Sequence, residues 1–110
     1  MADDRRLSDL AFHVLLALGE GPSHGYAIGK DIEDRSGGRL DPTTGALYQA
    51  LGRLTADGLV AAVDGPGNVD ARRKYFTLTS QGRRAAAAEA RRLDALVRTA
   101  RKRKLYPQKA

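Results

Sequence analysis

Three helical stretches, two short strands joined by a long loop, and one long closing helix follow one another along 110 residues. That order predicts a mainly α domain with a small β-hairpin, the winged helix-turn-helix layout, extended by a long C-terminal helix that serves dimerisation. Residues 1–82 are expected to form the winged domain, and residues 83–110 the dimerisation helix and a basic tail, in one structural unit. A chain of this size buries about two-thirds of its unfolded surface in a single core and has no room for a second.

Each element has a local reason. Leu7, Leu10, Ala11, Val14, Leu15 and Leu18 recur at three- and four-residue intervals, one face of a first helix, and Gly19-Glu20-Gly21-Pro22 ends the pattern. Ser23 is the expected N-cap of the second helix, which has a modest apolar side of Tyr26, Ile28 and Ile32 and stops at Ser36-Gly37-Gly38. Asp41-Pro42-Thr43-Thr44 starts the third, whose narrow stripe of Leu47, Leu51 and Leu54 runs to Asp57-Gly58. Leu59–Val63 and Arg73–Thr79 read as the hairpin strands, the second alternating Phe76 and Leu78 against Tyr75 and Thr77. The connection from Asp64 to Arg72 is too long for a tight turn. Thr79 or Ser80 then caps a last helix of about 25 residues, about 38 Å long. Its Ala86, Ala90, Leu93, Val97 and Ala100 form a seam that asks for another helix.

Nineteen Lys and Arg against thirteen Asp and Glu leave a net charge of +6 and a pI near 10.1, which favours a polyanionic partner. The charge is unevenly placed: residues from Arg83 onward carry +8 and residues 1–82 carry −2. The absence of cysteine excludes disulfides, thiolate zinc sites and cysteine nucleophiles, and it fits a reducing cytoplasm. Met1-Ala2-Asp3-Asp4 is acidic where a secretory leader is basic, and the apolar run Val14 to Leu18 is far too short to cross a bilayer, so neither export nor a membrane partner is expected.

Catalysis is not expected either. His13 and His24 have no acidic or histidine partner at ligand spacing, and Ser23-His24 is a pair of sequence neighbours rather than a catalytic arrangement. With no glycine-rich phosphate loop and no paired carboxylates, the sequence offers no catalytic residue, metal site or cofactor site.

With Leu47 as the buried direction of the third helix, Gly45, Gln49, Gly52, Arg53 and Ala56 point outward and Tyr48 lies at the flank. Small residues let a backbone approach, Arg53 can pair with phosphate or guanine, and Gln49 with adenine or phosphate. Thr43 and Thr44 stand at the positive end of the helix, where hydroxyl and amide donors suit a phosphate. Composition alone favours an ordinary solvated face, since one arginine and one glutamine are common on any surface. Arg72-Arg73-Lys74 puts three bases where the loop re-enters a strand, an arrangement that serves phosphate contact or protection of a sheet edge.

Four runs stand in order along the chain: Gly21-Pro22-Ser23-His24-Gly25-Tyr26-Ala27-Ile28; Thr44-Gly45-Ala46-Leu47-Tyr48-Gln49-Ala50-Leu51-Gly52-Arg53-Leu54; Asp57-Gly58-Leu59-Val60; and Arg72-Arg73-Lys74-Tyr75-Phe76-Thr77-Leu78-Thr79-Ser80-Gln81-Gly82. Together they resemble the PadR family of bacterial transcriptional regulators over nearly the whole length. The resemblance implies a homodimeric winged helix-turn-helix repressor. It implies that Tyr48, with Thr44 and Gly45 before it, lies against operator phosphates, and that Arg72 and Arg73 of the wing reach along the adjacent minor groove. The single C-terminal helix resembles the small-chain branch, in which that helix packs on the partner's first helix. Family members commonly respond to phenolic acids or planar drugs near the dimer interface. This chain has no tryptophan, the residue on which the drug-binding members stack their ligands.

The expected function is therefore binding of a double-stranded DNA operator by a homodimeric repressor, released by an aromatic or amphipathic small-molecule effector. The DNA-contacting set is Ser23, His24, Tyr26, Thr43, Thr44, Gly45, Tyr48, Gln49, Arg53, Arg72, Arg73 and Lys74. The dimer interface or effector pocket is expected from Leu7, Leu10, Phe12, Val14, Leu16, Leu93, Leu96, Val97 and Ala100. The alternative, permitted by the −2 balance of residues 1–82, is a dimeric winged-helix module that binds a partner protein and no DNA. Salt dependence of duplex binding separates the two, because a DNA binder loses affinity steeply as salt rises.

Overall fold

The computed structural model describes residues 7–67 and 73–107. Ser8 opens the first helix, α1 (Asp9–Ala17), by accepting a hydrogen bond from the Ala11 amide at 3.1 Å. A two-residue strand, β1 (Ser23–His24), leads into α2 (Gly25–Arg35). The Thr43 hydroxyl accepts from the Ala46 amide at 3.0 Å and starts α3 (Thr44–Ala56). Gly58, at φ +81°, turns the chain out of α3 into β2 (Val60–Val63). After the loop come β3 (Tyr75–Leu78) and α4 (Ser80–Lys102), the latter capped by Thr79 at 2.9 Å from the Gly82 amide.

The three strands form one antiparallel sheet in the order β1-β3-β2. Ser23 pairs with Phe76 and His24 with Tyr75 on one side, and Val60 with Leu78 through Val63 with Tyr75 on the other. Val14, Leu15, Leu18, Ile28, Ile32, Leu47, Leu51, Leu54, Leu59, Val60 and Phe76 make one core, to which α1, α2, α3, β2 and β3 all contribute. Burying a Leu or Ile side chain fully stabilises by about 1.5–3 kcal/mol, so the three short helices hold each other in place through this cluster. Arg35 adds a polar clamp between α2 and α1, reaching the His13 carbonyl at 3.1 Å while pairing with Asp31 at 2.7 Å.

The first turn of α4 is fixed against the end of α3. Thr79 Oγ1 donates to the Gly58 carbonyl at 2.7 Å, and a Cβ placed on Gly82 would run into the Leu59 carbonyl oxygen. Further along, Arg92 closes two hydrogen bonds on the buried Glu89 carboxylate, at 2.6 and 3.1 Å. Those bonds raise the Arg92 pKa above its ordinary value. The helix ends with Lys104 in the left-handed region, the Leu105 amide bonded back to the Ala100 carbonyl at 2.8 Å, and the Arg101 guanidinium 3.9 Å from the centre of the Tyr106 ring. Among the described residues, no helix is long and apolar enough to cross a membrane.

The structure differs from the sequence expectation in several places. The expected two-stranded hairpin has a third strand, because Ser23–His24 pairs with β3. The N-cap of α2 is His24 and not Ser23, whose backbone is taken up by that pairing. Tyr75 and Phe76, which alternate along β3, are both buried, and Tyr75 is flanked in register by His24 of β1 and Val63 of β2. The strands are shorter than expected and α4 has 23 residues. Val14, expected at a dimer interface, is fully buried in the chain's own core and has no surface to offer a partner.

Candidate nucleic-acid interface

One face of α3 is left open by the core. Leu47, Leu51 and Leu54 turn inward, and Thr44, Gly45, Tyr48, Gln49, Gly52, Arg53 and Ala56 are all exposed. Thr43 is exposed as well, and its hydroxyl can still donate while its oxygen caps the helix. Arg53 is exposed, and its guanidinium fork suits an anion such as a phosphate.

Tyr48 is held rather than loose. Its ring meets Phe76 edge-on at 6.4 Å and lies across Gly25, the first residue of α2. This puts the phenol at the junction of α3, α2 and the sheet with its outer side in solvent. Tyr26, one residue further into α2, is not part of an apolar side as its spacing suggested: it is 76% exposed. A groove of about 400 Å³ runs between the two helices, with Tyr26, Lys30, Asp41, Thr44 and Tyr48 on its walls. Lys30, which pairs with Asp34 at 3.7 Å, lines this groove and was not among the expected contacts. The available signal was its position four residues after Tyr26, which puts both on one helical face.

The wing meets the helix-turn-helix at His24. The imidazole stands edge-on to Tyr75 at 5.3 Å, its Nδ1 lies 3.4 Å from the Ala27 amide nitrogen, and its Nε2 lies 3.2 Å from Arg73 Nη1. Lys74 is exposed beside Arg73, and Arg72 lies outside the described residues. Ser23 is half-buried in β1, where its backbone aligns with Phe76.

A second groove, of about 500 Å³, separates the start of α1 from α3. Leu7, Leu10, Ala46 and Ala50 floor it, and Gln49, Arg53 and Asp57 stand on the α3 side. Two residues expected at a dimer contact thus share a groove with two expected at DNA. Phe12 is half-buried and Leu16 exposed on α1. On α4, Leu93, Leu96 and Val97 are exposed, Leu96 at 55%, and Ala100 is half-buried.

Fold and exposed face together define a winged helix-turn-helix domain. The chain belongs to the PadR-like family of transcriptional regulators, whose family model matches residues 14–88. An uncharacterised 37.1 kDa protein of transposon Tn4556 from Streptomyces fradiae is 46% identical over 85 residues, which are 77% of this chain and 23% of that protein. The chain therefore matches less than a quarter of that relative's length. A PadR family transcription regulator of Clostridium difficile superposes with a TM-score of 0.73 at 20% identity, over 86% of this chain and 97% of that one. PadR of Bacillus subtilis, solved in complex with operator DNA, superposes with a TM-score of 0.64 at 22% identity, over 74% of this chain and 46% of that one.

Proposed function

We propose that this chain is a homodimeric repressor that binds a double-stranded DNA operator in a bacterial cytoplasm, with α3 in the major groove and the wing along the flanking backbone. The observation that carries the reading is the exposed Arg53 on an otherwise flat face of α3, with Tyr48 anchored at its edge. Gly45, Gly52 and Ala56 keep that face low enough for close approach to base edges, and Gln49 and Arg53 supply the bonding groups. Tyr48, Thr43, Thr44, Tyr26 and Ser23 are phosphate-side contacts in this reading, while Arg72, Arg73 and Lys74 add charge from the wing. The Bacillus subtilis neighbour, crystallised on its operator, supports the choice of ligand.

In the same reading residues 1–82 hold the DNA contacts and residues 83–110 assemble the dimer. The exposed Leu93, Leu96 and Val97 of α4 meet a second subunit at Leu7, Leu10, Phe12 and Leu16 around α1. An aromatic or amphipathic effector lodges in that interface and releases the operator by preferring the free dimer. The direct test is fluorescence anisotropy of labelled duplex over a salt series. Steep loss of affinity with rising salt is expected. Binding of no duplex at any salt favours a protein-interaction module instead.

A further inference from the structure

Among the described residues, three of the four helix N-caps are hydroxyls, and they close tightly: Ser8 to the Ala11 amide at 3.1 Å, Thr43 to Ala46 at 3.0 Å and Thr79 to Gly82 at 2.9 Å. The fourth is His24, whose Nδ1 lies 3.4 Å from the Ala27 amide nitrogen, within hydrogen-bonding reach but the longest of the four contacts. The reason lies on the other side of the ring. Nε2 is 3.2 Å from Arg73 Nη1, and a guanidinium has only N–H donors to offer. The Ala27 amide is also a donor. A neutral imidazole carries one acceptor nitrogen and one N–H, so only one of the two neighbours can be hydrogen-bonded at a time. The backbone of His24 is paired to Tyr75 in the sheet, and its ring packs against the Tyr75 ring in a T-shaped contact, which holds it between the two donors.

We propose that His24 is a positioning residue that exchanges its proton between the two ring nitrogens as Arg73 moves between His24 and DNA phosphate. In the free protein Nε2 accepts from Arg73, Nδ1 carries the proton, and the cap of α2 is slack. When Arg73 leaves for a phosphate, where its bond is charge-assisted and stronger, the proton passes to Nε2 and Nδ1 accepts from the Ala27 amide. The wing contact and the firming of the first turn of α2, which carries Tyr26, are then one event. The first half of this proposal concerns the free protein alone. The second half rests on the DNA-binding reading above.

Long-range proton–nitrogen correlation spectra of the full chain report the tautomer directly, at about pH 8 where an ordinary histidine is neutral. His13 is the only other histidine and is assigned by its own variant. In the wild type without DNA, His24 is expected to carry its proton on Nδ1. Arg73→Ala, still without DNA, should move it to Nε2 and slow exchange of the Ala27 amide about fivefold, the effect of one N-cap bond. Adding a duplex that anisotropy shows to be bound should do the same to the wild type. His24→Asn, which can cap α2 but is too short to serve both neighbours, should protect Ala27 equally with and without duplex. If free wild-type His24 already carries its proton on Nε2, or if Arg73→Ala leaves the tautomer unchanged, the proposal is overturned. It is overturned equally if bound duplex leaves the wild-type tautomer on Nδ1. If no duplex binds at all, the DNA-binding reading fails, and the Arg73→Ala comparison still decides what holds the ring.

Discussion

The ring of Tyr48 lies directly over the α-carbon of Gly25, so close that a Cβ built there would stand 2.7 Å from Tyr48 Cζ and closer still to the hydroxyl. Any side chain at residue 25 must push the tyrosine away or strain the start of α2. Gly25→Ala is thus a way to move Tyr48 without removing it. Overpacking of this kind costs about 1–3 kcal/mol. We expect Gly25→Ala to fold, to melt lower, and to bind operator at least tenfold more weakly. The double variant Gly25→Ala, Tyr48→Ala should bind no worse than Tyr48→Ala alone, because both changes act through the same phenol. Additive losses in that cycle would separate Gly25 from the tyrosine.

Arg53 offers the opposite test, since it is exposed on the outer face of α3. Arg53→Ala should change stability by less than about 0.5 kcal/mol. It should weaken operator binding by about 1.5–3 kcal/mol, which is roughly tenfold to more than a hundredfold. Thermal melts and anisotropy on one preparation check both. A large fall in melting temperature with unchanged binding would make Arg53 a structural residue of the α1–α3 groove.

The wing is expected to contribute charge and little sequence choice. Replacing Arg73 and Lys74 with alanine should weaken operator and unrelated duplex by similar factors and reduce the slope of log affinity against log salt by about one per lost phosphate contact. An unchanged slope would place the wing off the DNA.

How much of this was legible in the sequence follows from the range of each interaction. The helices carry their own periodicity within a few turns, so Leu47, Leu51 and Leu54 of α3 could be read locally, and the cap of α4 could be narrowed to Thr79 or Ser80, of which Thr79 serves. The outward direction of Gly45, Gln49, Gly52 and Arg53 follows from the same geometry. β1 could not be read, because two residues have no period and their partners, Tyr75 and Phe76, are about fifty positions away. The burial of Tyr75 was no more legible, because His24, which packs beside it, lies on that strand. The His24–Arg73 contact and the shared groove of Leu10 with Arg53 are likewise tertiary, and single-residue chemistry pointed to neither.

Assembly through α4 has its own expected outcome. Leu93, Leu96 and Val97 form an exposed apolar strip on a helix rich in arginine, and such a strip is rarely left to solvent. A chain ending at residue 92 should sediment as a monomer or aggregate and lose operator binding, while Leu96→Asp in the full chain should give a folded species with weakened dimerisation. A truncated chain that remains a soluble, operator-binding dimer would move the interface elsewhere.

Selection of bound sequences from a random duplex pool tests most directly whether this chain reads DNA through α3 as a symmetric dimer. The expected result is an enriched inverted repeat whose half-sites lie about 10 base pairs apart or a multiple of that, as a two-fold pair of recognition helices on one side of the duplex requires. The Arg53→Ala protein should relax the choice at one position of each half-site. Retention of duplex without any enriched motif, or no retention at all, would contradict sequence-specific recognition by this face.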